Sequence, residues 1–471
     1  MKYNKVTPEI IEDLKKIVGE RNVICDPESL EAYSHDEVAE KEYAKMPDVV
    51  VKPTSTEQIS EIMKLANKHM IPVTPRGAGS GLSGGAVPLC GGIVLSVEKM
   101  NRILEIDKKN LMAVVEPGVV TNEINNAIKD DGLFYAGYPM SVETCYIGGN
   151  VAENAGGGKA IKYGVTSRYI MGLTMVTPEG DIINLGGKRV KDVTGYDLLH
   201  LMVGSEGTLG IFTKIIVKLQ PMPIAKADLL VLFKSVKEAI DIVPIIMTNG
   251  KIIPTSIEFM DELSFKTSCE YLNEKLPYQE ANAMLLIELD GDNMAIIEDQ
   301  YETIGELCMK NGAIEVYVAD NATTIERVWR IRRNIAEAWK LVSPHQSLED
   351  VVVPVSEIPT FMDRLSDLQK KYDVSIPCYG HAGDGNLHVT PVKNPDWTLE
   401  KWYDTLHELL PEMYKMVAEL GGTISGEHGI GHKRKDYIHI VLSDREIEFM
   451  KRIKKAFDPN LILNPGKIFD L

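Results

Sequence analysis

Cysteine is scarce in this sequence, and apolar residues never form a run long enough to cross a bilayer. The six cysteines are scattered and none belongs to a Cys-x-x-Cys pair, which argues against an iron–sulfur or zinc thiolate centre and against a disulfide framework. Apolar segments such as 93–97 are strand-length, far short of the roughly 20 residues of a membrane helix. The N-terminus carries charges throughout and lacks the apolar core of a secretory signal. We therefore expect a cytoplasmic protein without direct membrane insertion, for which any membrane link runs through a partner.

Positively charged residues are also fewer than negatively charged ones. Lys and Arg number 51 against 68 Asp and Glu, which gives a net charge of -17. Such a chain repels phosphate backbones and anionic lipid, which argues against binding to nucleic acid or to a membrane surface. Its 471 residues exceed the size at which a single hydrophobic core keeps growing, so we expect two domains.

Short β-branched segments alternate with glycine-rich turns between residues 48 and 219, which predicts an α+β domain. A capping box formed by Thr54 and Glu57 predicts the start of its clearest helix. The segment 221–228, with two prolines and no periodicity, is the expected domain boundary. Beyond it, strands and helices follow the order of a split-βαβ layer. Further helices are predicted near 322–342, 356–371, 398–420 and 444–457.

Three glycine-dense turns, at 75–85, 147–158 and 204–211, are the most informative feature of the first domain. The first contains a G-x-G-x-x-G pattern, but Pro88 and another strand follow it where a nicotinamide-binding fold needs a helix, so we reject that interpretation. Its successive backbone N–H groups, with Arg76 beside them, could instead form a nest for a pyrophosphate, although plain glycine turns between strands are common. Three such turns together favour a backbone that closely approaches a large flat cofactor.

Four of the ten histidines lie in two short turns, at 380–388 and 425–432. His381 and His388 are seven residues apart and would face opposite sides of a straight strand, so the intervening Gly-Asp-Gly-Asn must turn the chain if both imidazoles converge. Two imidazoles and the carboxylate of Glu427 would suit a divalent cation such as zinc, iron or manganese. The alternative is that these histidines are ordinary hydrogen-bonded polar residues.

The three glycine motifs, in this order and spacing, resemble the FAD-binding domain of the vanillyl-alcohol-oxidase (PCMH-type) flavoprotein superfamily, in particular its glycolate oxidase and D-lactate dehydrogenase branch. The resemblance runs from about residue 48 to the C-terminus. It implies an α+β fold with four parts. These are an N-terminal helical segment (1–45), a PCMH-type FAD-binding domain (46–221), a ferredoxin-like α/β substrate (cap) domain (222–420) and a C-terminal segment that returns to the flavin (421–471).

The resemblance also implies which residues contact FAD. They are Arg76, Gly77, Ala78, Gly79, Ser80, Gly81, Gly149, Asn150, Asn154, Gly156, Gly157, Glu206, Ile211 and Asn464. The chain departs from the family pattern just before the second turn, where it has Pro139-Met140 and Tyr146. Because the first turn has no histidine, we expect non-covalent FAD, with Cys145 and Cys90 left open as attachment points.

The histidine motifs match the family residue for residue, which implies that His381, His388 and Glu427 are metal ligands and that His428 is the catalytic base. A core position for His428 is the alternative. A substrate carboxylate calls for a planar bidentate donor, and the resemblance implies that Arg332 supplies it, although most arginines on a helix are solvated.

The 2-hydroxyglutarate branch of the family has a Lys and an Asn where this chain has Leu348 or Glu349, and Thr390, which argues for a smaller monocarboxylate. The resemblance thus implies FAD-dependent oxidation of a small D-2-hydroxy acid, D-lactate or glycolate. The electrons would pass to an electron-transfer flavoprotein, an iron–sulfur subunit or a quinone, and a homodimer is compatible with this activity. The alternatives are a D-2-hydroxyglutarate substrate, a redox-silent flavin-binding subunit and a metallohydrolase. The last is disfavoured because both helix-borne motifs, H-E-x-x-H and H-x-x-E-H, are absent.

Overall fold

The computed structural model describes residues 3–38, 43–275, 280–319 and 321–471. The chain divides into two compact units. The first consists of Met1–Gly156, Val165–Met222 and Glu427–Leu471, and the second of Gly157–Gly164 and Pro223–Gly426. Among the helices of the described ranges, none combines the length and the apolarity needed to cross a bilayer.

The helices are α1 (Pro8–Val18), α2 (Pro27–Glu31), α3 (Thr56–His69), α4 (Thr121–Ile128), α5 (Ile147–Glu153), α6 (Ala160–Tyr163), α7 (Leu198–Met202), α8 (Val236–Thr248), α9 (Glu262–Tyr271), α10 (Met294–Lys310), α11 (Ala322–Arg333), α12 (Ile335–Val342), α13 (Ile358–Tyr372), α14 (Leu399–Glu419) and α15 (Asp444–Phe457). Short 3-10 helices cover Glu20–Asn22, Lys129–Asp131, Thr166–Tyr169, Val355–Glu357 and Lys435–Ile440. The strands are β1 (Val23–Ile24), β2 (Val49–Val51), β3 (Val73–Arg76), β4 (Ile93–Ser96), β5 (Ile103–Asp107), β6 (Met112–Val115), β7 (Leu133–Phe134), β8 (Ile170–Val176), β9 (Ile182–Gly186), β10 (Ile211–Lys218), β11 (Gln220–Pro221), β12 (Ala225–Phe233), β13 (Ser256–Asp261), β14 (Ala283–Gly291), β15 (Ala313–Ala319), β16 (Glu349–Val352), β17 (Cys378–His381) and β18 (Asn386–Val389).

The first unit contains a four-stranded sheet in the order β1-β2-β4-β3 and a five-stranded sheet in the order β5-β6-β10-β8-β9. Strands β2 and β3 both run parallel to β4, and α3 supplies the crossover that such strands need. This helix buries one apolar face, including Ile59, Ile62 and Met63, in a core cluster with the strands and with Leu463 of the C-terminal segment. The cluster therefore fixes the C-terminal segment beside β3, the strand that leads into the first glycine turn.

The start of α3 differs from the predicted capping box at Thr54 and Glu57. The cap is Ser55, whose hydroxyl accepts a hydrogen bond from the backbone N–H of Gln58 at 3.3 Å. The side chain of Gln58 in turn accepts from the N–H of Thr54 at 2.7 Å. The motif is thus shifted by one residue, because Ser and Gln satisfy the free helix N–H groups as well as Thr and Glu do.

The second unit is built on one antiparallel sheet in the order β15-β12-β14-β13-β17-β18-β16. Its first four strands in chain order take the positions 4-1-3-2, with α8 and α10 as the two long connections. This is the ferredoxin-like arrangement predicted from the split-βαβ pattern, here enlarged by three strands, of which β17 and β18 carry the first histidine motif.

The helix predicted over 322–342 is in fact two helices, α11 and α12. The break is at Asn334, whose side-chain amide donates to the carbonyl of Arg330 at 2.8 Å. An asparagine side chain competes with the backbone for helical hydrogen bonds, which explains why the helix ends here. The break directly follows the arginine cluster, so Arg332 lies in the last turn of α11.

Candidate functional site

The first glycine turn follows β3 and forms no helix over residues 77–92, as the sequence predicts. Gly79 and Gly84 have φ values of 77° and 73°, which non-glycine residues rarely adopt. Residues 77–81 are only partly buried, so their backbone is accessible to a ligand. These properties fit a nest of backbone amides around an anionic group.

Arg76 lies at the base of this turn, and its guanidinium is buried. It donates to the carbonyl oxygens of His35 at 2.6 Å and Ala32 at 3.2 Å, and it lies over the ring of Tyr33. A methyl group on Gly79 would overlap the guanidinium. Arg76 therefore has a structural role in shaping the turn, besides its proposed role beside a pyrophosphate, and burial lowers its pKa.

The three glycine turns meet one another in the first unit. The side-chain amide of Asn464 donates to the carbonyls of Gly85 in the first turn, at 3.1 Å, and of Glu206 in the third, at 2.9 Å. The N–H groups of Gly204 and Glu206 donate to the carbonyls of Val151 and Ala152 in the second turn. Turns that are far apart in sequence thus form one continuous backbone surface, with Asn464 of the C-terminal segment as a connector.

The second turn contains two glycines with different surroundings. A methyl group on Gly148 would lie 2.6 Å from Cβ of Pro117, so this glycine is required by the protein's own packing. A methyl group on Gly149 would meet nothing within 4 Å. The position beside Gly149 is therefore open, as the predicted close approach of a flavin requires. The side chain of the neighbouring Asn150 is buried and donates to the hydroxyl of Thr121 at 2.7 Å.

The turn that carries Glu427 and His428 is held by Glu206. The carboxylate of Glu206 accepts from the backbone N–H groups of Ile430 at 2.8 Å and Gly431 at 2.6 Å. Nε2 of His428 lies 4.0 Å from a carboxylate oxygen of Glu427. Burial raises the pKa of Glu206. A residue predicted to contact the cofactor is therefore also the anchor of the histidine turn.

In the second unit, β17 and β18 form the hairpin that the Gly-Asp-Gly-Asn segment predicts. His381 pairs with Asn386, and His388 pairs with Tyr379, so both histidines lie on one face of the sheet. Their rings are nearly perpendicular with centroids 5.4 Å apart, and both side chains are buried. The turn formed by Gly-Asp-Gly-Asn thus brings the two imidazoles together, which their spacing on a straight strand would not do.

Glu258 is a residue of this cluster that the sequence reasoning missed. It lies on β13 opposite His381, is fully buried, and joins two predicted site residues. Its Oε1 is 2.6 Å from Nδ1 of His381, and its Oε2 accepts from Nε of Arg332 at 2.8 Å. Burial opposes the ionisation of Glu258, but the neighbouring His381 and Arg332 outweigh burial and lower its pKa to about 2. Its one sequence signal is a charged residue between two large apolar ones, Ile257 and Phe259.

Asp350 is a second missed residue. It lies on β16 opposite His388 and is fully buried. Its carboxylate accepts from the amide of Asn386 at 2.7 Å, from the hydroxyl of Ser425 at 2.8 Å and from the N–H of Gly426 at 2.9 Å. It thus ties the histidine hairpin to the segment that leads into the second histidine motif.

The other predicted residues fall on both units. Ile211 opens β10 and is part of the core cluster around α3, so its side chain serves packing. Asn154 ends α5 in the left-handed conformation, with φ of 54°. A methyl group on Gly156 would lie 3.1 Å from the carboxylate of Glu427. Gly157 belongs to the second unit, in which Thr390 is buried.

Comparison with known proteins shows to which family the chain belongs. Residues 47–186 match the family model described as "FAD binding domain", and residues 222–468 match "FAD linked oxidases, C-terminal domain". The chain is 42% identical to "Glycolate oxidase subunit GlcD" of Bacillus subtilis, over 98% of this chain and 97% of that protein. It is 39% identical to "D-lactate dehydrogenase" of Anaerostipes hadrus, over 99% and 98%. It is 32% identical to "D-2-hydroxyglutarate dehydrogenase" of Stutzerimonas stutzeri, over 98% and 99%.

Solved structures agree at the level of the fold. A 4-ethylphenol oxidase from Gulosibacter chungangensis matches with a TM-score of 0.80 at 19% identity, over 100% of this chain and 99% of that one. A p-cresol methylhydroxylase matches with a TM-score of 0.79 at 19% identity, over 99% and 98%. The chain therefore belongs to the FAD-linked oxidase family and is an FAD-dependent oxidoreductase with the PCMH-type fold, as the two family matches and the architecture of its two units indicate.

Proposed function

We propose that this enzyme oxidises a small D-2-hydroxy acid, D-lactate or glycolate, to the corresponding 2-oxo acid. The observation that carries the proposal is a buried cluster in the second unit, in which Glu258 joins Arg332 of α11, the proposed carboxylate-binding group, to His381 of β17, a proposed metal ligand. The sequence identity of 42% to a glycolate oxidase subunit and of 39% to a D-lactate dehydrogenase supports this substrate class. Thr390, where the 2-hydroxyglutarate branch has an Asn, favours the smaller acids.

In this proposal the chain's own residues bind and deprotonate the substrate. Arg332 binds the carboxylate, because a guanidinium offers two parallel N–H donors to two oxygens. His428 takes the proton from the hydroxyl oxygen on C2 as general base. Non-covalent FAD supplies the acceptor for the hydride from C2, and the absence of a histidine from the first glycine turn supports non-covalent attachment.

We further propose that His381, His388 and Glu427 hold a divalent cation. The sequence motif and the converging imidazoles of the hairpin support the two histidine ligands, and the sequence motif alone supports Glu427. Zinc, iron and manganese all suit a set of two imidazoles and one carboxylate. Such a cation would make the substrate hydroxyl more acidic and would orient it.

Reoxidation requires an acceptor, for which we propose an electron-transfer flavoprotein, an iron–sulfur subunit or a quinone. The sequence supports a separate acceptor because its six cysteines contain no motif for an iron–sulfur cluster. We expect the enzyme to work in the cytoplasm.

The proposal is tested by dye-linked turnover with D-lactate, glycolate, L-lactate and D-2-hydroxyglutarate. We expect D-lactate or glycolate to give the highest kcat/KM, and preference for L-lactate or D-2-hydroxyglutarate would refute the substrate assignment. R332K should lower kcat/KM by a factor of about 100 or more, because an ammonium cannot replace a bidentate fork. Arg330, exposed on the same helix, provides the matched control R330K, which should behave as wild type.

The role of His428 is tested separately. H428A should retain FAD yet lose at least about 100-fold in kcat, the range expected for removal of a general base. Retention of wild-type turnover would exclude His428 as the base without affecting the assignment of Arg332.

A further inference from the structure

We propose that Glu258 is a positioning residue that fixes both the tautomer of His381 and the orientation of Arg332. This inference rests on the proposed function, since it assigns a metal to His381 and a carboxylate to Arg332. A single buried side chain would then couple the metal site to substrate recognition.

The hydrogen bond to His381 determines which ring nitrogen can bind a metal. Oε1 of Glu258 lies 2.6 Å from Nδ1 of His381. An ionised carboxylate can only accept, so Nδ1 carries a proton, and in the neutral form of the ring, the form that binds a metal, Nε2 carries the lone pair. Metal-binding histidines commonly donate their second N–H to a carboxylate in this way, and the partner raises the basicity of the ligand. Glu258 thus prepares Nε2 of His381 as a ligand.

The second oxygen of Glu258 orients Arg332. Nε of Arg332 donates to Oε2 at 2.8 Å, and Cζ lies 4.8 Å from the centre of the Tyr379 ring. These two contacts fix the plane of the guanidinium and use its Nε side. The edge formed by the two terminal nitrogens is therefore the one that can bind a carboxylate through two parallel hydrogen bonds.

The backbone around Glu258 is built to keep the carboxylate in this position. A methyl group on Gly158 would overlap Oε1 of Glu258 and would lie 3.4 Å from Nδ1 of His381. Glycine at 158 thus leaves room for the hydrogen-bonded pair. On the other side, strand pairing sets Glu258 directly opposite His381.

The test compares E258Q with E288Q. Glu288 is equally buried on the adjacent strand β14 but pairs with Lys159 and Lys226, so E288Q controls for the loss of a buried carboxylate in this sheet. Zinc affinity is measured by competition with a chromophoric chelator, and KM and kcat are measured with D-lactate. E258Q should bind zinc about 10 to 100 times more weakly, the usual effect of removing such a partner, and should have a raised KM with unchanged FAD content. E288Q should match the wild type in all three measurements.

Failure of this inference and failure of the proposed function give different experimental results. Wild-type zinc affinity and KM in E258Q would overturn the inference and leave the proposed function intact. A wild-type enzyme that binds neither zinc nor iron nor manganese would refute the proposed metal and the tautomer half of the inference, and the KM of E258Q would then decide the half that concerns Arg332. If E258Q gives no folded protein, E258D decides, because its shorter carboxylate cannot reach both partners. Wild-type zinc affinity and KM in that variant would overturn the inference.

Discussion

Two adjacent glycines of α5 allow the proposed cofactor role of this helix to be separated from its folding role. At Gly148 a methyl group would lie 2.6 Å from Cβ and 2.9 Å from the carbonyl oxygen of Pro117, both too close for real contacts. Overpacking of this kind costs about 1 to 3 kcal/mol, and the gain in helix propensity from Gly to Ala returns at most about 1 kcal/mol. We therefore expect G148A to lower the free energy of unfolding by about 1 to 2 kcal/mol.

At Gly149 the same substitution should have the opposite effect on stability. A methyl group there meets no protein atom within 4 Å, so only the gain in helix propensity remains, up to about 1 kcal/mol. If the space belongs to the flavin, the methyl group instead intrudes on the ligand. An overlap of about 1.4 kcal/mol or more would weaken FAD binding at least about tenfold.

The assay uses denaturant unfolding of FAD-depleted protein together with FAD titration followed by flavin fluorescence. We expect G149A to unfold at the same or a higher denaturant concentration than wild type and to bind FAD more weakly. Wild-type FAD affinity in G149A would show that the space beside this residue is not the cofactor's, and the reasoning would fail even if G148A behaved as expected.

Two buried lysines of the C-terminal segment give further predictions. Nζ of Lys454 donates to the carbonyls of Thr208 and Leu463 and to the carboxylate of Asp458. K454M should lower the free energy of unfolding by about 3 to 5 kcal/mol in denaturant unfolding, because it leaves the carboxylate of Asp458 buried without its cation. The exposed Lys455 provides the control K455M, and equal stabilities of the two variants would contradict this role of Lys454. Burial lowers the pKa of Lys467 to about 7. Below pH 7 the amine is charged in both the folded and the unfolded protein, so the full cost of burying the charge is present. Above pH 7 the folded protein loses this proton first, so its stability rises with pH until the unfolded pKa of about 10.4 is reached. Unfolding of FAD-depleted protein measured from pH 6 to pH 10 should show this rise relative to K467M, by a few kcal/mol at about 1.4 kcal/mol per pKa unit, and parallel pH curves for the two proteins would refute the shift.

Local patterns in the sequence predicted the features that depend on neighbouring residues. The glycine turns, the histidine hairpin and the succession of strands and helices that opens the second unit follow from such patterns, because turn chemistry and alternation act over a few residues. The three strands that enlarge the sheet of this unit were not predicted. The shift of the α3 cap from Thr54 to Ser55 shows the limit, since several adjacent side chains could cap the same helix.

The residues that the sequence did not reveal are those whose partners are distant along the chain. Glu258 meets His381 across 123 positions and Arg332 across 74. Only the pairing of β13 with β17 and the packing of α11 bring the three together, and no periodicity encodes those contacts. A charged residue between the large apolar Ile257 and Phe259 is the signal that could have drawn attention to Glu258.

In the proposed function, a 2-hydroxy acid delivers its electrons to a flavin bound by this chain. The most direct test of this proposal is anaerobic titration of the FAD-loaded protein with D-lactate and with glycolate, followed by flavin absorbance and by analysis of the product. We expect one of the two acids to bleach the flavin at one equivalent per FAD, with pyruvate or glyoxylate formed in the same amount. A flavin that stays oxidised with an excess of both acids would contradict the account.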